Sequence, residues 1–206
     1  MIAYYPFNGN ANDECSYTHN GIVRGTSLTK DRKGNLNSAY LFDGRKDYIE
    51  ITNFSAINNL DAFTLSSWIY PTDYNHYITI VSKASPNRDF VLRIYGNNGY
   101  DHRGHASCEF VVGKFYNCFT PVIPLKKWTH LLATWNGIDW KIYVNGKLSN
   151  TCNHENKASS RRGRTMEIGA LNGRENFEGM LDEIIIYDCA ATEEEVLDIF
   201  NSAGSD

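Results

Sequence analysis

Nowhere in the 206 residues do 18 apolar residues run together, so no segment reads as a membrane-spanning helix. Cysteine is sparse, at five, and none stands in a C-x-x-C pair, which argues against a zinc ribbon or a thioredoxin-type centre. There is no G-x-S-x-G elbow, and no cysteine has a His signature nearby, so nucleophilic catalysis has little support. Positive charge is not in surplus. Lys and Arg total 20 against 24 Asp and Glu, a formal net charge of -4, so counterion release from a phosphate backbone cannot drive binding and nucleic acid is excluded as the main partner. After Met1 the chain goes straight into Ile2-Ala3-Tyr4-Tyr5, without a basic segment or an apolar signal core. The expectation is a mature piece of a longer precursor, or else a protein that stays inside the cell.

What the chain has is aromatic residues, at 13% and led by 13 Tyr, together with 16 Gly and many Asn. Aromatics suit a pleated sheet, while Gly and Asn take left-handed turn positions. Short Val/Ile/Tyr/Phe/Trp-rich runs predict strands at 2–7, 39–43, 48–51, 63–70, 77–81, 90–95, 109–112, 128–135, 140–144, 167–170 and 181–187. Asn136-Gly137 and Asn145-Gly146 mark tight hairpins. Near the C-terminus, Thr192 followed by Glu193, Glu194 and Glu195 forms a capping box. Val196, Ile199 and Phe200 then fall on one helical face. With no linker and no internal repeat, residues 1–206 read as one all-β domain, a two-sheet antiparallel jelly-roll sandwich with a short C-terminal helix.

The order of motifs carries a resemblance. The chain opens on Tyr4-Tyr5-Pro6-Phe7-Asn8-Gly9-Asn10-Ala11-Asn12-Asp13, then Leu41-Phe42-Asp43-Gly44, Asp47-Tyr48-Ile49-Glu50-Ile51 and Phe63-Thr64-Leu65-Ser66-Ser67-Trp68-Ile69. Trp128-Thr129-His130, Ala133-Thr134-Trp135 and Lys141-Ile142-Tyr143-Val144-Asn145-Gly146 follow, and Ile168-Gly169 with Phe177-Glu178-Gly179-Met180-Leu181-Asp182-Glu183-Ile184 closes the set. Together these resemble the laminin-G-like members of the concanavalin A-like lectin/glucanase superfamily. The resemblance implies a jelly roll, often with a structural calcium and frequently with carbohydrate recognition. Asp182 resembles the metal-binding Asp of such folds, with carbonyls from the Asn8 turn and from Asn37. If Tyr4 faces Ile186, antiparallel pairing carries Asn8 opposite Asp182. The alternative is an Asp182 that only caps its strand.

The glucanases of this fold set paired carboxylates on alternate residues of one strand, as E-x-D-x-x-E, and no strand here carries that pattern. Asp182 and Glu183 are adjacent and so expected on opposite faces, while Glu109 and Glu167 stand alone. An enzyme is therefore not expected. His102 and His105, three apart in a Gly-rich loop, lack helical metal-ligand spacing. That loop, residues 95–105, still gathers Tyr95, Tyr100, Asp101, His102 and Arg103, and residues 73–77 carry Tyr74, Asn75 and His76. Sugars present an apolar C–H face and a rim of hydroxyls, which an aromatic ring and planar polar groups recognise. Tyr74, His76, Tyr95, Tyr100, His102 and Arg103 are the candidate ligand-binding residues, unless both loops are simply solvated. Arg161-Arg162-Gly163-Arg164 is a basic cluster suited to an acidic glycan or protein, or a solvated turn. Asn53-Phe54-Ser55 fits the N-glycosylation pattern. Cys108 and Cys118 could close a hairpin, or remain buried thiols.

The expected function is thus a non-catalytic, lectin-like carbohydrate-binding module, extracellular or at a cell surface, with a structural calcium and a glycan partner. An adhesion module that binds another protein is the first alternative. A glycoside hydrolase or polysaccharide lyase with an unrecognised carboxylate pair is the second.

Overall fold

A computed structural model describes residues 1–15, 19–56, 60–85, 90–97, 101–111, 115–153 and 165–202. In chain order the strands are β1 (Ala3–Tyr5), β2 (Ile22–Arg24), β3 (Ser27–Thr29), β4 (Ala39–Asp43), β5 (Tyr48–Ile51), β6 (Phe63–Pro71), β7 (Ile78–Ser85) and β8 (Phe90–Ile94). They continue with β9 (His105–Val111), β10 (Phe115–Val122), β11 (Thr129–Trp135), β12 (Asp139–Val144), β13 (Lys147–Asn153), β14 (Thr165–Ile168) and β15 (Glu178–Tyr187), and one helix, α1 (Glu193–Ser202), follows.

All pairings are antiparallel and fall into two sheets. One has eight strands in the order β13-β12-β11-β6-β15-β4-β3, with β1 also on β15, and the other has seven in the order β10-β9-β8-β7-β14-β5-β2. This is the jelly-roll sandwich that the strand pattern predicts. Alternation along each strand sends one set of side chains between the sheets. Phe63 of β6 sits at the centre, with its ring 5.7 Å from Phe90 of the facing sheet and 5.5 Å from Trp140. Leu65, Ile69, Leu131, Ala133, Ile49, Ile51, Leu92, Ile94, Met166 and Ile168 extend that core.

Two sequence expectations change here. Cys108 and Cys118 do face each other across the β9–β10 hairpin, but Cys118 is bonded to Cys152 of β13 and Cys108 is a buried thiol. The bridge therefore joins the edges of the two sheets instead of closing one hairpin. The β1–β15 register is also one residue from the assumed one, since Ala3, not Tyr4, faces Ile186. Phe7, at φ 58°, turns the chain away after Tyr5, and Asp182 pairs across to Trp68 of β6. The ladder does not carry Asn8 to Asp182.

At the C-terminal helix the capping box forms as the sequence predicts. Glu195 N donates to Thr192 Oγ1 at 3.2 Å and Thr192 N to Glu195 Oε2 at 2.7 Å. The helix lies on the outward face of the eight-stranded sheet, where Val196 packs on Leu132 and Tyr143 and Phe200 stacks on Trp68, ring centroids 5.6 Å apart.

Candidate binding face

Three neighbouring strands of the seven-stranded sheet aim one row of polar and aromatic side chains away from the core. In β8, Phe90, Leu92 and Ile94 face inward, so Val91 and Arg93 face outward, with Tyr95 just beyond. In β9, Ala106 and Cys108 are core residues, which turns Ser107 and Glu109 outward. Cys118 faces in from β10, leaving Asn117 and Phe119 on the outer side. The register sets Arg93 opposite Ser107 and Asn117 opposite Glu109.

Arg93 is the hub of this face. One guanidinium nitrogen donates to Glu109 Oε2 and the other to Glu175 Oε2, the latter at 2.7 Å. The Tyr95 hydroxyl donates to Glu109 Oε1 at 2.8 Å, and Asn117 Nδ2 donates to the Tyr95 oxygen at 2.9 Å. Glu109 is 1% exposed and Arg93 5%. Burial works against the Arg93 charge, but the hydrogen bond and charge of Glu109, with Glu175, offset it and raise the pKa. Burial and then the Glu109 charge push the Tyr95 hydroxyl up, so it stays a donor. Arg93 Nε, Ser107 Oγ and Asn117 Oδ1 are buried without a hydrogen-bond partner among the described residues.

Beside this polar cluster lies an aromatic one. His102 stacks on Phe119 with centroids 4.0 Å apart and planes 13° apart, and Tyr95 meets Phe119 edge-on at 5.1 Å and Tyr77 at 4.9 Å. All four rings are half-buried. The wall on the other side comes from the segment after β14, which folds back over the sheet. Gly169 N donates to Ile80 O and Thr79 N to Glu175 O, each at 2.8 Å, and Leu171 packs on Val91.

Both loops singled out in the sequence meet at one end of this face. Asn97 N donates to Tyr74 O at 3.0 Å and Asn97 Nδ2 to Asn75 Oδ1 at 3.2 Å. At Gly96 a side chain would run into the His76 backbone, so the close approach of the loops requires glycine there. Of the candidates, Tyr95 and His102 belong to the aromatic group. His76 is half-buried with Nε2 3.3 Å from Asn176 O, and Arg103 is exposed. Tyr74 is a correction, since its side chain is 5% exposed and its hydroxyl donates to Ile123 O, so it packs in the core and offers no open ring face. Tyr100 and the basic run at 161–164 lie outside the described residues.

Sequence reasoning missed Arg93, Asn117, Phe119 and Glu175, and treated Glu109 as isolated. The signal was an Arg inside an otherwise apolar strand, Phe90-Val91-Leu92-Arg93-Ile94. Such a residue is either outward-facing or paired, and here it is both.

On the opposite face, a polar pair lies buried beside α1 and the Arg32 side chain. Ser66 Oγ and His130 Nε2 lie 2.7 Å apart, a separation that suits a nucleophile and its base. Both are buried, at 1% and 0% exposed, and His130 Nδ1 has no partner among the described residues to complete a triad. Burial, then the Arg32 charge, lowers the His130 pKa to about 3, so the ring is neutral.

A family model for the concanavalin A-like lectin/glucanases superfamily matches residues 43–197. The chain belongs to that superfamily. Among solved structures, it is similar to domain 4 of AbnA, a GH43 extracellular arabinanase from Geobacillus stearothermophilus, solved in complex with arabinotriose. That match has 20% identity and a TM-score of 0.79 over 96% of this chain and 97% of the other. The binding domain of botulinum neurotoxin serotype D matches at 16% identity and a TM-score of 0.74, covering 98% of this chain and 50% of the toxin domain. The binding domain of Paraclostridial Mosquitocidal Protein 1 matches at 19% and 0.74, covering 94% and 50%. This chain thus spans about half of each toxin binding domain, and at these identities the likeness is one of fold. No curated protein matches the chain.

The calcium that the resemblance to this superfamily implies turns on Asn8, Asn37 and Asp182. Asn8 and Asn37 are exposed, and their turns are tied together by Gly9 N donating to Asn37 O at 2.8 Å. Asp182 is 2% exposed, and its Oδ2 accepts from Arg32 at 3.0 Å. Its Oδ1 is buried without a partner among the described residues. Burial and then the Glu183 charge push the carboxyl up to about 8, with Arg32 pulling the other way. Adjacent Asp182 and Glu183 do not diverge as expected. Both reach Arg32, because Glu183 takes φ 47° where β15 shifts register. No group of three or more His, Cys, Asp or Glu among the described residues is arranged for a metal. Asp182 Oδ1 is still a buried oxygen without a partner among the described residues, one that a cation would satisfy on displacing the carboxyl proton, with backbone carbonyls and water as its other ligands.

Proposed function

We propose that this protein is a non-catalytic carbohydrate-binding module that acts outside the cell and holds its glycan on the outward face of the seven-stranded sheet. The observation that carries this reading is the flat His102–Phe119 stack, edged by Tyr95, directly beside the Arg93–Glu109–Asn117 cluster. The stack offers an apolar platform for a sugar's C–H face, and the half-buried Asn117 amide and Glu175 carboxylate, held in place by the buried Arg93 and Glu109, match its hydroxyl rim. Two further facts support it. The arabinanase domain with the same fold was solved with arabinotriose, and the Cys118–Cys152 bridge suits an oxidising compartment. A structural calcium belongs to the proposal, with Asp182 Oδ1 as its side-chain ligand and backbone carbonyls and water to complete the shell.

A glycoside hydrolase is the second reading, because Arg93 draws Glu109 and Glu175 to one point. Against it, both Glu109 oxygens already accept hydrogen bonds, from Arg93 and Tyr95, and so cannot protonate a leaving group.

The test is a set of thermal melts and titrations across soluble arabino-, gluco-, galacto- and sialo-oligosaccharides, with calcium and with a chelator. One sugar class should raise the Tm by mass action, and Phe119→Ala should weaken its binding by roughly tenfold, about the loss of one stacking contact. Calcium stabilisation should vanish in Asp182→Asn. No shift with any sugar overturns the binding reading, and turnover abolished by Glu109→Gln would establish the enzyme.

A further inference from the structure

Five cysteines leave three thiols beside the Cys118–Cys152 bridge, and they are not alike. Cys108 is enclosed in the core, where burial pushes its thiol up and keeps it inert. Cys15 is half-buried and Cys189 exposed, and the folding of the N-terminal segment brings them to the same end of β15. Ala3 pairs with Ile186, and Ile2 N donates to Ile186 O at 2.8 Å. One further step along the ladder puts Met1 opposite Asp188, the neighbour of Cys189. From the other side the chain doubles back on β1, with Glu14 N donating to Tyr4 O at 2.8 Å. Cys15 Sγ then donates to the Met1 carbonyl at 3.2 Å. The Met1 amino group lies 3.7 Å from the carboxylate of Asp188, the residue before Cys189. Cys189 also lines an open cleft with Tyr187, Ala191, Glu195, Asp198 and Ile199, so an oxidant can reach it.

We infer that Cys15 and Cys189 form a second disulfide in an oxidising compartment, clipping the N-terminal strand to the segment that leads into α1. Two S–H bonds break and one S–S bond forms. The two protons and two electrons pass to a disulfide oxidant such as oxidised glutathione, which leaves as two thiols. Both partners sit in turns outside the strands, where the backbone can adjust to disulfide geometry. The bridge closes most of the chain into one loop, the arrangement that restricts the unfolded state most.

The experiment uses the full chain, equilibrated with oxidised glutathione, alkylated under denaturing conditions and digested without reductant. The expected map has a linked Cys15–Cys189 peptide pair beside Cys118–Cys152, with Cys108 alone alkylated. Cys15→Ser and Cys189→Ser should each lower the Tm of the oxidised protein by the same amount, roughly 5 to 10 °C, and the double variant should lower it no further. Alkylation of both Cys15 and Cys189 after oxidation would overturn the inference, as would a Cys189-linked dimer in place of the internal bridge.

Discussion

Arg93 answers two carboxylates at once from a nearly water-free position, so its removal leaves Glu109 buried with an unmatched charge. Arg93→Ala should cost about 3–5 kcal/mol, read as a lower urea midpoint with an unchanged slope. Adding Glu109→Gln should restore part of that loss, since the second change removes the stranded charge. None of this was visible along the chain. Glu109 looked isolated because Arg93 is 16 residues away and the third member, Glu175, is 82 residues from Arg93. Tyr74 shows the converse. Its chemistry suited a sugar, but side-chain chemistry does not say which way a ring faces, and this one folds under the loop to reach Ile123. Tyr95 and His102 were singled out as loop aromatics, whereas Phe119 lies in β10, a strand with no clear period in the sequence, and drew no reading.

Elements were legible where the signal is local. The capping box at Thr192 and Glu195 contains its own hydrogen bonds within four residues, so the helix start could be read without any tertiary contact. Thr192→Ala should destabilise the fold by about 1 kcal/mol and lower the Tm by roughly 2–4 °C, measurable by circular dichroism. Strands with a packed face, such as β4 and β5, matched their predicted bounds. Those missed were β2, β3, β10 and β13. β2 is exposed at all three residues, and β13 is polar and mostly exposed. Such strands are held by backbone pairing to a neighbour, which leaves no hydrophobic period to read. β10 carries Asn117, Thr120 and Pro121 among its aromatics, and an edge strand tolerates that mixture.

At the scale of the molecule, the two sheets differ in what covers them. One outward face carries α1 and the Arg32 loop. The other shows its half-buried rings over β8, β9 and β10, which makes the sandwich one-sided. The two-sheet architecture was readable from strand number and motif order. The bridge from Cys118 to Cys152 was not, because it depends on which edges meet once both sheets have formed.

Strand β15 has a consequence in time as well as in space. It pairs with β1, β4 and β6, all of which leave the ribosome long before residues 178–187 exist. Until then the half-built sheet presents unpaired edges, the feature that invites aggregation or capture by a chaperone. Closing Ala3 onto Ile186 spans nearly the whole chain, so pairing is slow as well as late. A ribosome-stalled chain ending at Asn176 should be cut readily by protease, and one extended through Ser202 on a tether should resist it. Protection of the shorter chain would mean that the sheet forms without its central strand. The fold is thus committed only once β15 has been made, and the interval before that is when the domain depends most on its surroundings.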